Sequence, residues 1–263
     1  MLLRSSATKL FGLASLAVLL AAAPARAGLP LLADSVPDKS MLPLPYGIGV
    51  TVYGQNQPYK LDRLKIDFQG FALPSTSSIR IENSLREQDA KFDFWLFPFM
   101  NVFGLVGSLD GETSVDLSHA NLPVELGSVD INYHGSVFGG GVTLAGGGKH
   151  WFGSLTTIYT DTSLSGDFQS TAKAFVVTPK LGLTSDRGSA WIGATYQKTD
   201  EHHAGNITLP FIGPVGFAVE LRQKNAWNGA VGMESALTRH WHLELEGGFG
   251  SRKSASVGLG YRF

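Results

Sequence analysis

From Ala255 to the C-terminus, apolar residues alternate with small or polar ones. Ala255, Val257, Leu259, Tyr261 and Phe263 stand against Ser254, Ser256, Gly258, Gly260 and Arg262. In an extended strand these two sets point to opposite faces. The same period of two runs through the preceding segment. There Trp241, Leu243, Leu245 and Phe249 alternate with His242, Glu244, Glu246 and Gly248, and Gly250-Ser251-Arg252-Lys253 forms the turn between the two strands. One segment earlier, Phe217, Val219, Leu221, Trp227, Val231, Met233 and Leu237 oppose Glu220, Arg222, Lys224, Asn228 and Glu234, which predicts one strand long enough to project beyond a membrane. Further strands are expected at about Tyr46–Gly54, Leu61–Phe71, Ser77–Arg86, Ala90–Phe97, Val102–Glu112, His134–Gly146, Trp151–Thr162, Gln169–Leu183 and Ser189–Glu201, twelve in all. An even number returns both chain ends to one side, as in single-chain bacterial barrels.

Alternation alone also suits a soluble sandwich, so the connections carry weight. Pro98–Asn101, Gly147–His150, Thr184–Gly188 and Thr238–His240 are short, whereas Thr113–Tyr133 and His202–Gly216 are long. Short turns at one end and long loops at the other are the habit of outer-membrane barrels. Gln55–Lys60 and Gly250–Lys253 are read as two short loops at the long-loop end. Trp95, Trp151 and Trp241 fall at the short-turn ends of their strands, and with Tyr261 and Phe263 they are the expected aromatic girdle at the headgroup level. Trp191 also falls there but breaks the local apolar parity.

The composition agrees. Hydrophobic residues make up 43% of the chain, but past the first segment no apolar run is long enough for a helical span. A barrel dilutes its membrane signal in this way because only alternate residues meet lipid. At the N-terminus, Arg4 and Lys9 precede the apolar run Leu10–Ala23, and Ala25-Arg26-Ala27 follows as a small-x-small site. Residues 1–27 therefore read as a cleaved signal peptide. The proline-containing stretch 28–45 reads as a periplasmic lead-in, and residues 46–263 as one barrel domain. Cleavage removes three basic residues and shifts the formal net charge from -1 to -4. That value argues against a nucleic-acid partner, which demands a concentrated basic face. Absence of cysteine excludes disulfides, thiolate metal sites and a lipidated N-terminal cysteine.

The terminal Gly260-Tyr261-Arg262-Phe263, ending on an aromatic, resembles the last strand of Gram-negative outer-membrane β-barrels. The hairpin around Pro98-Phe99-Met100-Asn101 also looks like barrel sequence. The resemblance implies an all-β, transmembrane, antiparallel up-and-down barrel of about twelve strands in the outer membrane. Its implied partners are membrane lipid, lipopolysaccharide and the barrel assembly machinery, which reads the C-terminal strand.

Apolarity assigns a set of charges to the lumen: Arg63, Lys65, Arg80, Glu82, Arg86, Lys91 and Asp93 on the early strands, and Glu234, Glu244, Glu246 and Arg262 on the late ones. A basic-leaning wall would then face an acidic one and orient zwitterions and small ions. Alternatively, the charges pair with one another and fill the interior. The expected function is a porin-like channel or transporter for small polar solutes. The alternatives are a structural or surface-interaction barrel using the two long loops, and a lipid-active enzyme.

The last rests on His134-Gly135-Ser136, which is similar to the start of the His-x-Ser-Asn-Gly motif of outer-membrane phospholipase A. Val137 and Phe138 replace its Asn-Gly, and no upstream Asn partner is recognisable, so no catalytic residue is assigned and enzymatic activity is not expected. The glycines of Gly139–Gly141 and Gly146–Gly148 lack the Lys-Ser/Thr of a phosphate loop. The pairs His202-His203 and His240/His242 lack a third ligand for a metal. No cofactor is expected.

Overall fold

The computed structural model describes the backbone of residues 30–36, 38–39, 42–66, 80–116, 118, 127–166, 168–209, 213–223 and 225–263, and the side chains of these except 60–66, 129, 168–169, 200–209 and 213–223. The proposed signal peptide lies outside the described residues. So do residues 72–76, between the second and third expected strands.

Among the described residues, eleven antiparallel strands form one closed sheet: β1 (Tyr46–Ile66), β2 (Arg80–Phe97), β3 (Met100–Asp116), β4 (Ser128–Gly147), β5 (Trp151–Gly166), β6 (Phe168–Ser185), β7 (Gly188–Leu209), β8 (Gly213–Gln223), β9 (Trp227–Ala236), β10 (Trp241–Gly250) and β11 (Lys253–Arg262). At the short-turn end the ring has ten members, with β9, β10 and β11 between β7 and β1. The seam there runs from Gly47 opposite Arg262 to Asn56 opposite Lys253. Beyond that level the short β10–β11 hairpin stops. β8 pairs β7 on one side and β1 on the other, from Tyr59 opposite Gln223 to Ile66 opposite Phe217. The barrel therefore narrows from ten strands to eight.

Ten positions around the wall replace the expected twelve because two polar stretches are strand and not turn. Gln55–Lys60 continues β1, pairing with β2 throughout up to Tyr59 opposite Ile81. Pro58 lacks an N–H, and it falls between the last β1–β11 pair and the first β1–β8 pair, where that loss costs least. Glu87–Asp89 likewise continues β2 with an unbroken register from Arg80 to Trp95 against β3. The long loop expected at Thr113–Tyr133 is in large part strand, since β3 reaches Asp116 and β4 starts at Ser128. His202–Gly216 is mostly the hairpin of β7 and β8. The expected strand Phe217–Leu237 occupies one wall position as two pieces, β8 and β9.

Side-chain polarity inverts along the barrel axis. In the ten-stranded part the outward face is an apolar belt. Val50, Phe138, Trp151, Tyr159, Leu183, Ile192, Trp227, Met233, Phe249 and Val257 are all exposed. The outward run from Trp241 to Phe249 covers about 27 Å of strand, roughly 20 Å along the axis at a ~40° tilt, close to a hydrocarbon core. Beyond the belt the outward face turns polar, through Gln88, Ser108, Asp110, Glu112, His134, Ser136, Asp161 and Lys173, all exposed. The inward face changes the other way. There Leu109, Val137 and Leu164 are buried together, with Leu85, Leu105, Ile131, Tyr133 and Ala172 packed on them. An eight-stranded ring is just wide enough for side chains to fill it, so this outer section has an apolar core inside and a polar surface outside.

Candidate functional site

Each strand's alternation fixes which side chains enter the lumen, and pairing makes the assignment common to neighbours. On β2 the inward set is Ile81, Asn83, Leu85, Glu87, Asp89, Lys91, Asp93 and Trp95. Ile81, Asn83 and Asp93 are buried, whereas Arg80, Glu82 and Arg86 are exposed and share the parity of Phe92. Arg80, Glu82 and Arg86 therefore point away from the lumen, contrary to the sequence expectation. Splitting β2 into two strands lets the parity change between them. No basic wall results. Arg63 and Lys65 belong to β1, but their side chains lie outside the described residues.

Lys91, Asp93, Glu234, Glu244, Glu246 and Arg262 do face inward, in two separate groups. Near the short-turn end, Arg262 Nη2 donates to Asp93 Oδ1 (2.8 Å), Asn101 Nδ2 donates to the same oxygen (2.7 Å), and Lys91 Nζ lies 3.9 Å from Asp93 Oδ2. A Cβ on Gly47 would lie 2.5 Å from that carboxylate, so glycine makes room for it. Arg262 Nε also donates to the Leu44 carbonyl, and the Leu31 amide donates to Leu96, which ties the lead-in to this floor. Parity alone puts Arg262 beside Glu244 and Glu246. Its partner is Asp93 instead, two strands away around the seam.

Trp95 belongs to this floor and not to the girdle: its ring faces in, 5.9 Å from the Arg262 guanidinium. Trp151, Trp241, Tyr261 and Phe263 are on the outward face at the short-turn end. Trp241 meets Tyr261 edge-on at 5.0 Å, and Phe263 stacks on Tyr46 at 5.8 Å.

The second group gathers on the opposite wall. Lys180, inward from β6, places its Nζ 2.6 Å from Glu246 Oε2 and 3.5 Å from Glu244 Oε1, and 4.5 Å over the Trp191 ring. Trp191 Nε1 donates to Glu246 Oε2 (3.2 Å), and His242 Nδ1 is 3.2 Å from Glu234 Oε1. Lys180 was legible: the apolar series Phe175, Val177, Leu181 and Leu183 puts position 180 on the other face. Trp191 broke parity for the same reason, being a lumen residue.

Glu244, Glu234 and Lys91 remain 45%, 41% and 43% exposed although they point inward at belt height. The lumen there admits water. Higher up it closes: Gln57 is 1% and Arg252 5% exposed. Arg252, from the β10–β11 turn, swings inward and donates from Nη1 to Gln197 Oε1, while its backbone N–H donates to Asn228 Oδ1 (3.1 Å). Asn83 Nδ2 donates to Thr113 Oγ1 (2.9 Å) and to the Tyr133 hydroxyl (2.5 Å), bridging β2 to β4. No periodicity could have revealed Arg252, because turn residues have no assigned face. Outside the barrel, a hydrogen bond from Lys39 and its charge hold the exposed Asp34 carboxyl below its usual range.

His134 and Ser136 are exposed on the outward face beyond the belt, and no hydrogen bond joins them. Among the described residues no group of three or more His, Asp or Glu is arranged to hold a metal ion.

A closed antiparallel ring with an outward apolar belt and polar, solvent-accessible side chains inside at belt height defines a transmembrane β-barrel of the outer-membrane type. No protein-family model matches the chain, and no curated protein matches it. Among solved structures it is similar to the translocator domain of the autotransporter NalP from Neisseria meningitidis, at 10% identity over 96% of this chain and 98% of that one, with a TM-score of 0.40. It is also similar to the outer membrane protease OmpT from Escherichia coli (8%, 83% and 97%, 0.46) and to the toluene transporter TbuX from Ralstonia pickettii (8%, 89% and 94%, 0.36). No activity passes to this chain from likenesses at that level.

Proposed function

We propose that this chain is an outer-membrane channel for small polar solutes, with a wet, acid-leaning lumen at bilayer height and a packed outer section that restricts it. The observation that carries this reading is the exposure of Glu244, Glu234 and Lys91 inside the belt. A filled interior would bury them together with their ion-pair partners. Among the described residues, Glu87, Asp89, Asp93, Glu234, Glu244 and Glu246 face inward against Lys91, Lys180, Arg252 and Arg262, so cations are favoured. On this reading residues 1–27 direct export, and the C-terminal strand engages the assembly machinery before the belt meets lipid and lipopolysaccharide. Purified protein in planar bilayers should give discrete, cation-preferring conductance steps. No steps from the wild type or from a variant with a loosened outer section would overturn the reading.

A surface-interaction role has its own support in the exposed charges of the projecting section, Arg80, Glu82, Arg86, Asp110 and Glu112. Replacing them with serine should then abolish partner binding and leave conductance unchanged.

A further inference from the structure

Two carboxylates stand directly opposite each other in the lumen at belt height: Glu234 on β9 pairs with Glu244 on β10, and both side chains are open to water. Like charges placed so across a ladder repel. Glu244 has the Lys180 ammonium at 3.5 Å, although that group lies closer to Glu246, at 2.6 Å. Glu234 has a different counter-group. Among the described residues its ion-pair partner is His242, whose Nδ1 lies 3.2 Å from Oε1 and whose side chain is 25% exposed.

His242 faces the lumen because it shares the parity of Glu244 and Glu246 on β10. It meets Glu234 from β9 and Glu244 from its own strand. On β11 the lumen positions opposite are Gly258 and Gly260, and the nearest cation there, Arg262, is turned to Asp93. β7 presents the uncharged Ser189 opposite Glu234. Asp186, Arg187 and Arg239 are exposed in the flanking turns. His240 is placed otherwise, its ring stacked at 5.5 Å on the outward-facing Tyr261.

The lumen charges of the belt section nearly cancel. Among the described residues there, four carboxylates (Asp93, Glu234, Glu244 and Glu246) face three fixed cations (Lys91, Lys180 and Arg262). One negative charge remains while His242 is neutral, and none once it is protonated. Imidazole is the side chain that ordinarily changes charge between about pH 5 and 8, whereas carboxylates ordinarily do so near about pH 4. We infer that His242 determines the ion selectivity of the lumen. Neutral, it leaves the charge of Glu234 to attract passing cations; protonated, it closes a charge-assisted bond to Glu234 and cancels the preference. The inference rests on the channel reading and assigns its selectivity to one residue.

The test measures reversal potentials of the full chain in planar bilayers under a potassium chloride gradient, between about pH 8 and about pH 5. Wild type should prefer potassium severalfold at the alkaline end and approach equal permeability to both ions at the acid end. His242→Gln should hold the alkaline ratio throughout, and His240→Gln should follow the wild type. Glu234→Gln should show, already at the alkaline end, the low ratio that the wild type reaches in acid. A wild-type ratio that stays flat would overturn the inference and leave the channel; this comparison needs no variant, so it decides even if a substitution fails to fold. A fall of the same size in folded His242→Gln would also overturn it and pass the titration to Glu87 and Asp89 at the outer level. Absence of conductance at every pH, in the wild type and with the outer section loosened, would overturn both readings together.

Discussion

At Asp93 a carboxylate only 4% exposed accepts from Arg262 and Asn101 and joins the first wall of the barrel to the last. Asp93→Ala would strand a half-buried guanidinium and a buried amide, and breaking a fully buried pair costs about 3–5 kcal/mol, which sets the upper bound here. A lower urea midpoint for the detergent-folded barrel is the expected outcome, and an unchanged midpoint would show that the floor does not tie the seam. On the channel reading, Lys180 acts on selectivity. Its ammonium balances Glu244 and Glu246, so Lys180→Met leaves two acids unopposed in the lumen, and rings of like charge select ions of the other sign. Reversal potentials across a salt gradient should show the cation-to-anion permeability ratio rising severalfold. At this scale the sequence exposed Asp93 and Glu244 through parity, but it hid their partners, because contacts two or three strands apart depend on curvature.

The decisive element is the β10–β11 hairpin. Being only as tall as the belt, it leaves the outer part of β1 free to pair with β8. Its neighbour β9 makes room for a lumen side chain: a Cβ on Gly232 would lie 2.5 Å from the Trp191 ring and 2.8 Å from the Leu245 carbonyl. Gly232→Leu should therefore force Trp191 off Glu246 and cost about 1–3 kcal/mol as overpacking. Quenching of Trp fluorescence by an aqueous quencher would report the displaced ring, and wild-type quenching in the variant would refute the packing role of this glycine. Elements were largely legible as strands. β5, β6, β10 and β11 fall close to where alternation put them, whereas β1 and β2 were each divided at a polar stretch. Polar residues on both faces usually mark a turn, but in a barrel with a wet lumen and a polar outer section such a stretch is equally at home as strand.

For the whole molecule, the exchange of inside and outside polarity between the two sections is the main consequence. The belt section is held by lipid outside and water inside, and the outer section by its own small core of Leu109, Val137 and Leu164. Leu109→Ala together with Val137→Ala removes most of that core, and large-to-small changes at such sites cost about 2–5 kcal/mol for a leucine. The outer section should loosen while the belt persists. Protease added from the outside should then cut at the loop end, and mean bilayer conductance should rise. An unchanged conductance with a demonstrably loosened outer section would show that this core does not restrict the lumen.

The sequence by itself determined that the chain forms strands, that they close into a membrane barrel with short turns at one end, and which side chains share a face wherever a strand was correctly bounded. All of this follows from a period of two, a property each strand carries locally. Only the tertiary structure decided the number of wall positions, the step from ten strands to eight, the outward placement of Arg80, Glu82 and Arg86, and the inward turn of Arg252. Each of these depends on where one strand stops pairing and another begins. That is settled by ring closure and by the competition of β8 and β11 for the same edge of β1, which no local pattern encodes.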